Sequence, residues 1–163
     1  MKKIIIIGCP GSGKSRFSRA LHHQTDIPLY HLDMMYWNAD KTTVEKAVFH
    51  ERLAAVLAKD AWIIDGNYAS TLELRLAACD TVFFLDLPLD VCLDGIRARR
   101  GKPRSDLPWI EVEEDAEFIE FIKGYHTNQR PQVLALLEKY CDKNVTVFTS
   151  REQVDAFLNQ EGR

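Results

Sequence analysis

The sequence lacks any long apolar run. Its most conspicuous one, Ile4 to Ile7, is only four isoleucines behind Met1-Lys2-Lys3, too short for a signal-peptide core and far below the roughly 20 residues of a spanning helix. Cysteine is scarce and scattered: Cys9, Cys79, Cys92 and Cys141 show no CxxC and no Cys/His spacing. That removes zinc sites and a disulfide framework, and suits small buried hydrophobes in a reducing compartment. Positive charge is not in excess either. Lys and Arg number 21 against 24 Asp and Glu, a formal charge of −3, whereas a surface built to hold nucleic acid is usually basic overall. With 8 Gly, 6 Pro and 46% hydrophobic residues, the chain is neither collagenous nor disordered. No repeat, low-complexity tract or linker interrupts it. These absences imply a cytoplasmic protein with no membrane partner, one domain over residues 1–163, monomeric or homodimeric, and long enough to bury a core without staples.

What is present is alternation. Ile4–Ile7, continuous and β-branched, suit a strand buried on both faces. A helix is expected from Lys14 to about Gln24, then a short strand over residues 27–32 with Pro28 at its start. Thr42 and Glu45 have capping-box spacing ahead of the helical pattern Val44, Val48, Leu53, Val56 and Leu57. Trp62–Asp65 reads as a third strand ending at Gly66, Ser70 with Glu73 as the cap of a brief helix, and Thr81–Leu85 as a fourth strand. Pro88 suits the first residue of the next helix. Residues 101–110 are loop-like, and a helix runs from about Glu113 to Tyr140 with a break or kink at Pro131. Asn144–Thr149 give a last strand, and Ser150 with Gln153 cap a terminal helix. Strands alternating with helices imply βαβ crossovers and a parallel sheet covered by helices.

The first strand runs straight into Gly8-Cys9-Pro10-Gly11-Ser12-Gly13-Lys14-Ser15, a full match to G-x-x-x-x-G-K-[ST] with a strand before and a helix after. Gly8, Gly11 and Gly13 permit backbone conformations in which successive N–H groups face phosphate oxygens, and the helix brings its positive N-terminus to the same anion. Lys14 is expected to reach the β and γ phosphates and Ser15 to offer its hydroxyl to Mg²⁺. Pro10, Ser12 and Arg16 complete the expected triphosphate-binding set. The cofactors implied are ATP and Mg²⁺.

Taken with the strand ending Asp65-Gly66 and the later Leu85-Asp86-Leu87-Pro88, the loop makes the chain resemble the nucleoside- and nucleotide-kinase branch of P-loop proteins. More closely, it resembles bacterial proteins of the DNA topology modulation family, through Pro28–Asp33 with Tyr36-Trp37, Trp62–Tyr68, Thr71–Leu76 and Arg97–Arg100. The resemblance implies a three-layer α/β/α P-loop fold, with a five-stranded parallel sheet in the order 2-3-1-4-5 and a short lid near residues 98–112. It also implies two different functions. One is a phosphotransferase moving the γ-phosphate of MgATP to a small acceptor, a nucleoside or nucleotide among the candidates. The other is a nucleotide-dependent regulatory protein acting on DNA topology. A plain ATPase lacks an additional acid to activate water.

The resemblance assigns further roles. Asp33, just after the second strand, takes the place of a carboxylate that orients or deprotonates the acceptor hydroxyl; the plainer reading is a turn-capping Asp. His31 reads as strand packing. Tyr36 and Trp37 either wall an acceptor pocket or pack in the core. Asp65 is expected at Mg²⁺, directly or through water, with Asp86 as its competitor and Gly66 allowing a sharp turn. Asn67-Tyr68 replaces the Phe-Pro-Arg of a nucleoside-monophosphate site, and Arg75 either supplies the lost cation or is a surface arginine. Arg97, Arg99, Arg100, Lys102 and Arg104 crowd the lid, with Arg97 and Arg100 taken as the phosphate clamp. A solvated helix end and a nucleic-acid patch are the other readings of that run. The acids between Glu111 and Glu120 oppose the patch and are expected to pair with the lid instead. Arg130 is a candidate to reach the cleft, and Arg151 to contact the adenine, next to Ser150, which also fits a helix cap.

Overall fold

The computed structural model describes residues 1–161. Chain order is β1 (Lys3–Gly8), α1 (Lys14–Thr25), β2 (Leu29–His31), α2 (Leu32–Tyr36), α3 (Lys46–Leu57), β3 (Trp62–Asp65) and α4 (Ala69–Ala78). It continues through β4 (Thr81–Leu85), α5 (Leu89–Arg99), α6 (Ala116–Asn128), α7 (Arg130–Lys139), β5 (Asn144–Phe148) and α8 (Arg151–Glu161). The five strands are parallel in the order β2-β3-β1-β4-β5; the crossover pattern implies the parallel sheet, and the resemblance implies this order.

Four isoleucines in a row make sense at the centre of this sheet. Successive side chains on a strand point to opposite faces, so Ile4 and Ile6 enter one core with Phe17, Leu21, Ile96 and Ile122. Ile5 and Ile7 enter the other with Phe49, Leu53, Leu72 and Leu76. Helices α1, α5, α6 and α8 therefore cover one face, and α3, α4 and α7 the other. This is the three-layer arrangement. β5 is an edge strand with Val145 and Val147 exposed.

Local readings differ at several helix starts. α3 opens at Lys46 with Glu45 as an uncapped N-cap, because Thr42 is held in a turn by Asp40 and Asn38. α4 opens behind Tyr68, whose φ of 36° is left-handed, with no side-chain cap from Ser70. The expected second strand ends at His31, and residues 32–36 turn into a helix. Pro88 is the N-cap rather than the first helical residue. The expected helix over 113–140 is two helices: α6, capped by Asp115, and α7, which takes Pro131 in its first turn, where the missing N–H costs nothing. At the C-terminal end Ser150 caps α8 and Gln153 reaches back to Thr149 N at 2.7 Å.

Candidate functional site

The phosphate loop spans the carboxyl end of β1 and the start of α1. Gly11 (φ 84°) and Gly13 (φ 98°) occupy the left-handed region. A Cβ on Gly11 would lie 2.0 Å from Cys92 O, so glycine is required both by conformation and by the close approach of α5. Lys14 Nζ bridges Gly8 O at 2.9 Å and Cys9 O at 3.2 Å. Crowding by the surrounding protein, and then the Arg99 guanidinium, pull its pKa below the usual lysine value. Arg151, at the start of α8, donates to Gly11 O and Ser12 O and braces the loop from outside.

This loop forms one wall of a cleft of about 1010 Å³ that also contains Asp33, Tyr36, Trp37, Asp65, Gly66 and Asn67. A second cleft, of about 680 Å³, shares Asp33, Trp37, Arg99 and Arg104 with the first. Asp33 is raised above the usual carboxylate value by burial, against the opposing hydrogen bond from Tyr68 and the charge of Lys14. Tyr68 Oη donates to Asp33 Oδ1 at 2.5 Å. Its phenol is pushed up by burial and by the facing carboxylate, so it remains a donor.

Asp65 is 4% exposed and fully engaged. Ser18 Oγ donates to Oδ2 at 2.6 Å, and His31 Nδ1 meets both oxygens at 2.7 and 2.9 Å. Burial works against the imidazolium, but the hydrogen bond and charge of Asp65 outweigh it and raise the His31 pKa. Asn67 Oδ1 accepts from Gly8 N at 3.2 Å, tying the end of β3 to the phosphate loop. Gly66 (φ 131°) sits where a Cβ would meet Leu32 Cβ at 2.9 Å.

Residues 100–115, between α5 and α6, form an irregular lid. Arg104 grips Asp106 through Nε at 3.0 Å and Nη2 at 2.7 Å, and its Nη1 lies 3.1 Å from Glu111. Arg99 faces the same Glu111 at 3.7 Å, and Arg100 pairs with Glu114 at 3.5 Å. Ser15 Oγ donates to Asp106 Oδ2 at 2.7 Å.

No family model matches the sequence, and no curated protein matches it. Among solved structures, a shikimate kinase from Acinetobacter baumannii in complex with shikimate has a TM-score of 0.63 to this chain. The likeness covers 98% of this chain and 92% of that one at 16% identity. The fold is that of the P-loop kinases.

Within this kinase fold the expected site residues divide. Gly8, Pro10, Gly11, Ser12, Gly13, Lys14 and Ser15 form the loop as read, and Arg16 lines the cleft while pairing with Asp155 at the surface. Asp33, Tyr36, Trp37, Asp65, Gly66 and Asn67 come together with it. Arg97 does not join them: its exposed side chain lies 4.0 Å from Asp94 and does not line the cleft. Arg100 reaches only the second cleft, and Arg99 and Arg104 occupy both. Arg75 is 0% exposed and spends its guanidinium on the carbonyls of Gly66, Asn67 and Tyr68 and on Thr71 Oγ1. It is neither a surface arginine nor a cation facing the cleft. Asp86 and Arg130 form a two-point pair with each other. Sequence reasoning missed Asp106 and Tyr68 as site residues; the Arg104-Ser105-Asp106 triplet was the visible signal for the first.

The groups fit a nucleotide with a hard cation. Among the described residues Ser12 Oγ, in the phosphate loop, is buried with no hydrogen-bond partner, while Arg99 and Arg104 line the cleft and face Glu111. Ser15 and the nearby carboxylates are the oxygen donors that Mg²⁺ prefers.

Proposed function

We propose that the chain is a single MgATP-dependent kinase domain acting on a small hydroxyl-bearing acceptor. The observation that carries the reading is that Lys14 of the phosphate loop and the half-buried Asp33 face one cleft, which opens at Asp33 into a second. Phosphoryl transfer needs positioning and charge neutralisation more than covalent chemistry. The loop N–H groups and Lys14 hold the triphosphate, with Arg99 at the end of α5 and Arg104 of the lid over it. Tyr68 fixes one oxygen of Asp33, leaving the other to take the acceptor's proton. The raised Asp33 pKa brings that base nearer to the working pH, where general-base catalysis is most effective. Ser15 would hold Mg²⁺, which would supply charge neutralisation for the phosphates; Asp65, engaged by Ser18 and His31, would add negative charge nearby.

The solved neighbour is a kinase of a small molecule, shikimate, which supports a small acceptor without naming this chain's own. Arg75, spent on carbonyls, supplies no cation for an acceptor phosphate, which favours nucleosides and other hydroxylated metabolites over monophosphates. The test is a phosphoryl-transfer screen over nucleosides, nucleotides and hydroxylated metabolites, shikimate included. ADP should form only with the right acceptor, Lys14→Ala should abolish it, and Asp33→Asn should lower kcat by about 100-fold or more. Equal ADP formation without any acceptor would make the protein an ATPase and sink the reading.

A further inference from the structure

Ser15 has a partner that its position in the loop does not foretell. In P-loop enzymes the hydroxyl after the lysine meets the divalent cation, and the acid beside it ordinarily comes from a strand end. Here the strand-end acid, Asp65, is already satisfied by Ser18 and His31. The proton of Ser15 goes instead to Asp106, in the lid and 91 positions away in sequence. Asp106 is 6% exposed. Other contacts seat the same segment: Arg19 of α1 donates to Ser105 Oγ at 3.0 Å, and Trp109 packs edge-on against Trp37 with centroids 5.5 Å apart.

We propose that Asp106 is the acidic partner of the metal-binding hydroxyl, so that docking of the lid and binding of the divalent cation are one linked equilibrium. The inference rests on the MgATP reading above. A serine hydroxyl has one proton and two lone pairs. Donating the proton to Asp106 fixes the rotor and leaves the lone pairs for the cation, while the carboxylate adds negative charge beside it. The same docking brings Arg104, held by Asp106, over the phosphates beside Arg99 of α5. Linkage is reciprocal: if the docked lid tightens the cation, the cation tightens the lid by the same factor. A carboxylate that merely latched the free loop would act with the opposite sign, because the cation would have to displace it.

The test uses the full chain and ATP itself, titrated calorimetrically with excess Mg²⁺ or with EDTA, alongside amide hydrogen exchange of residues 100–115. In the wild type, Mg²⁺ should tighten ATP by about tenfold or more and slow exchange in the lid. Asp106→Asn should lose most of the Mg²⁺ increment, read as the ratio of its ATP affinity with Mg²⁺ to that with EDTA, together with the lid protection. Ser15→Ala should lose the same increment, and the double variant no more than either alone. A purely structural role for Asp106 would lower affinity equally with Mg²⁺ and with EDTA and leave the increment unchanged. An unchanged or enlarged Mg²⁺ increment in Asp106→Asn overturns the proposal. Should that variant not fold, the wild type decides: failure of Mg²⁺ to increase lid protection with ATP bound also overturns it. If the wild type binds no ATP at all, it is the nucleotide reading that has failed.

Discussion

Arg75 carries more of the local architecture than any other charged side chain near the cleft. Three consecutive carbonyls, from Gly66 to Tyr68, converge on its guanidinium, and that turn presents Asn67 to the phosphate loop and Tyr68 to Asp33. Removing the planar fork leaves buried carbonyls unpaired, at about 1–3 kcal/mol each. Arg75→Met should therefore lower the unfolding free energy in urea by about 3 kcal/mol or more. Arg75→Lys should rescue little of it, because one ammonium does not match three carbonyls. The His31–Asp65 pair makes a pH prediction. The folded-state pKa of His31 lies above its unfolded value of about 6.5, so the pair's contribution is complete below that value and is lost as pH rises through the folded pKa. The stability gap between wild type and His31→Gln should be wider at about pH 5.5 than at about pH 8.5; a gap that widens with pH would contradict the assignment.

The close fit of α5 against the phosphate loop belongs to whole elements. Gly95 and Gly11 meet backbone to backbone: a Cβ on Gly95 would lie 2.1 Å from Gly11 O, and one on Gly11 2.0 Å from Cys92 O. Helix propensity alone makes Gly95→Ala stabilising by about 1 kcal/mol. The contact reverses the sign. We expect Gly95→Ala to lower the melting temperature and weaken ATP binding by shifting the loop; a raised melting temperature with intact binding would refute this packing. Elements also show where sequence patterns mislead. Thr42–Glu45 and Ser70–Glu73 have capping-box spacing but cap nothing, since Thr42 is captured by Asp40 and Tyr68 sets the start of α4 by its left-handed backbone. Ser150–Gln153 has the same spacing and does cap, because the chain leaves β5 in the right direction for it.

At the scale of the whole molecule, the lid's cations are largely balanced. Arg99, Arg100 and Arg104 face Glu111, Glu114 and Asp106, the pairing expected from the acid-rich stretch. Its membership differs from the spacing: Glu111 meets two arginines, and Asp115 is instead the cap of α6. A nucleic-acid backbone needs cations free to release counterions, so a gel shift at low and at moderate salt should show no DNA binding. Salt-sensitive retardation would favour the DNA-directed alternative implied by the resemblance. Among the described residues no helix is long and apolar enough to cross a membrane.

Much of this was written locally. The isoleucine strand, the glycine-rich loop with Lys14 and Ser15, and the carboxylate Asp65 at the end of β3 follow from short-range rules. Backbone conformation, alternation and the βαβ crossover act over a few residues to a few tens, so the parallel sheet was legible as well, while its strand order came from the resemblance. Partner choice was not. Whether Arg97 or Arg99 faces the cleft depends on the rotation of α5 against the sheet. Whether Arg75 meets a ligand or a carbonyl depends on the turn it lies under, and whether Ser15 is answered by Asp65 or Asp106 depends on where the lid folds back. Those are contacts between residues far apart in the chain, and only the packed molecule decides them.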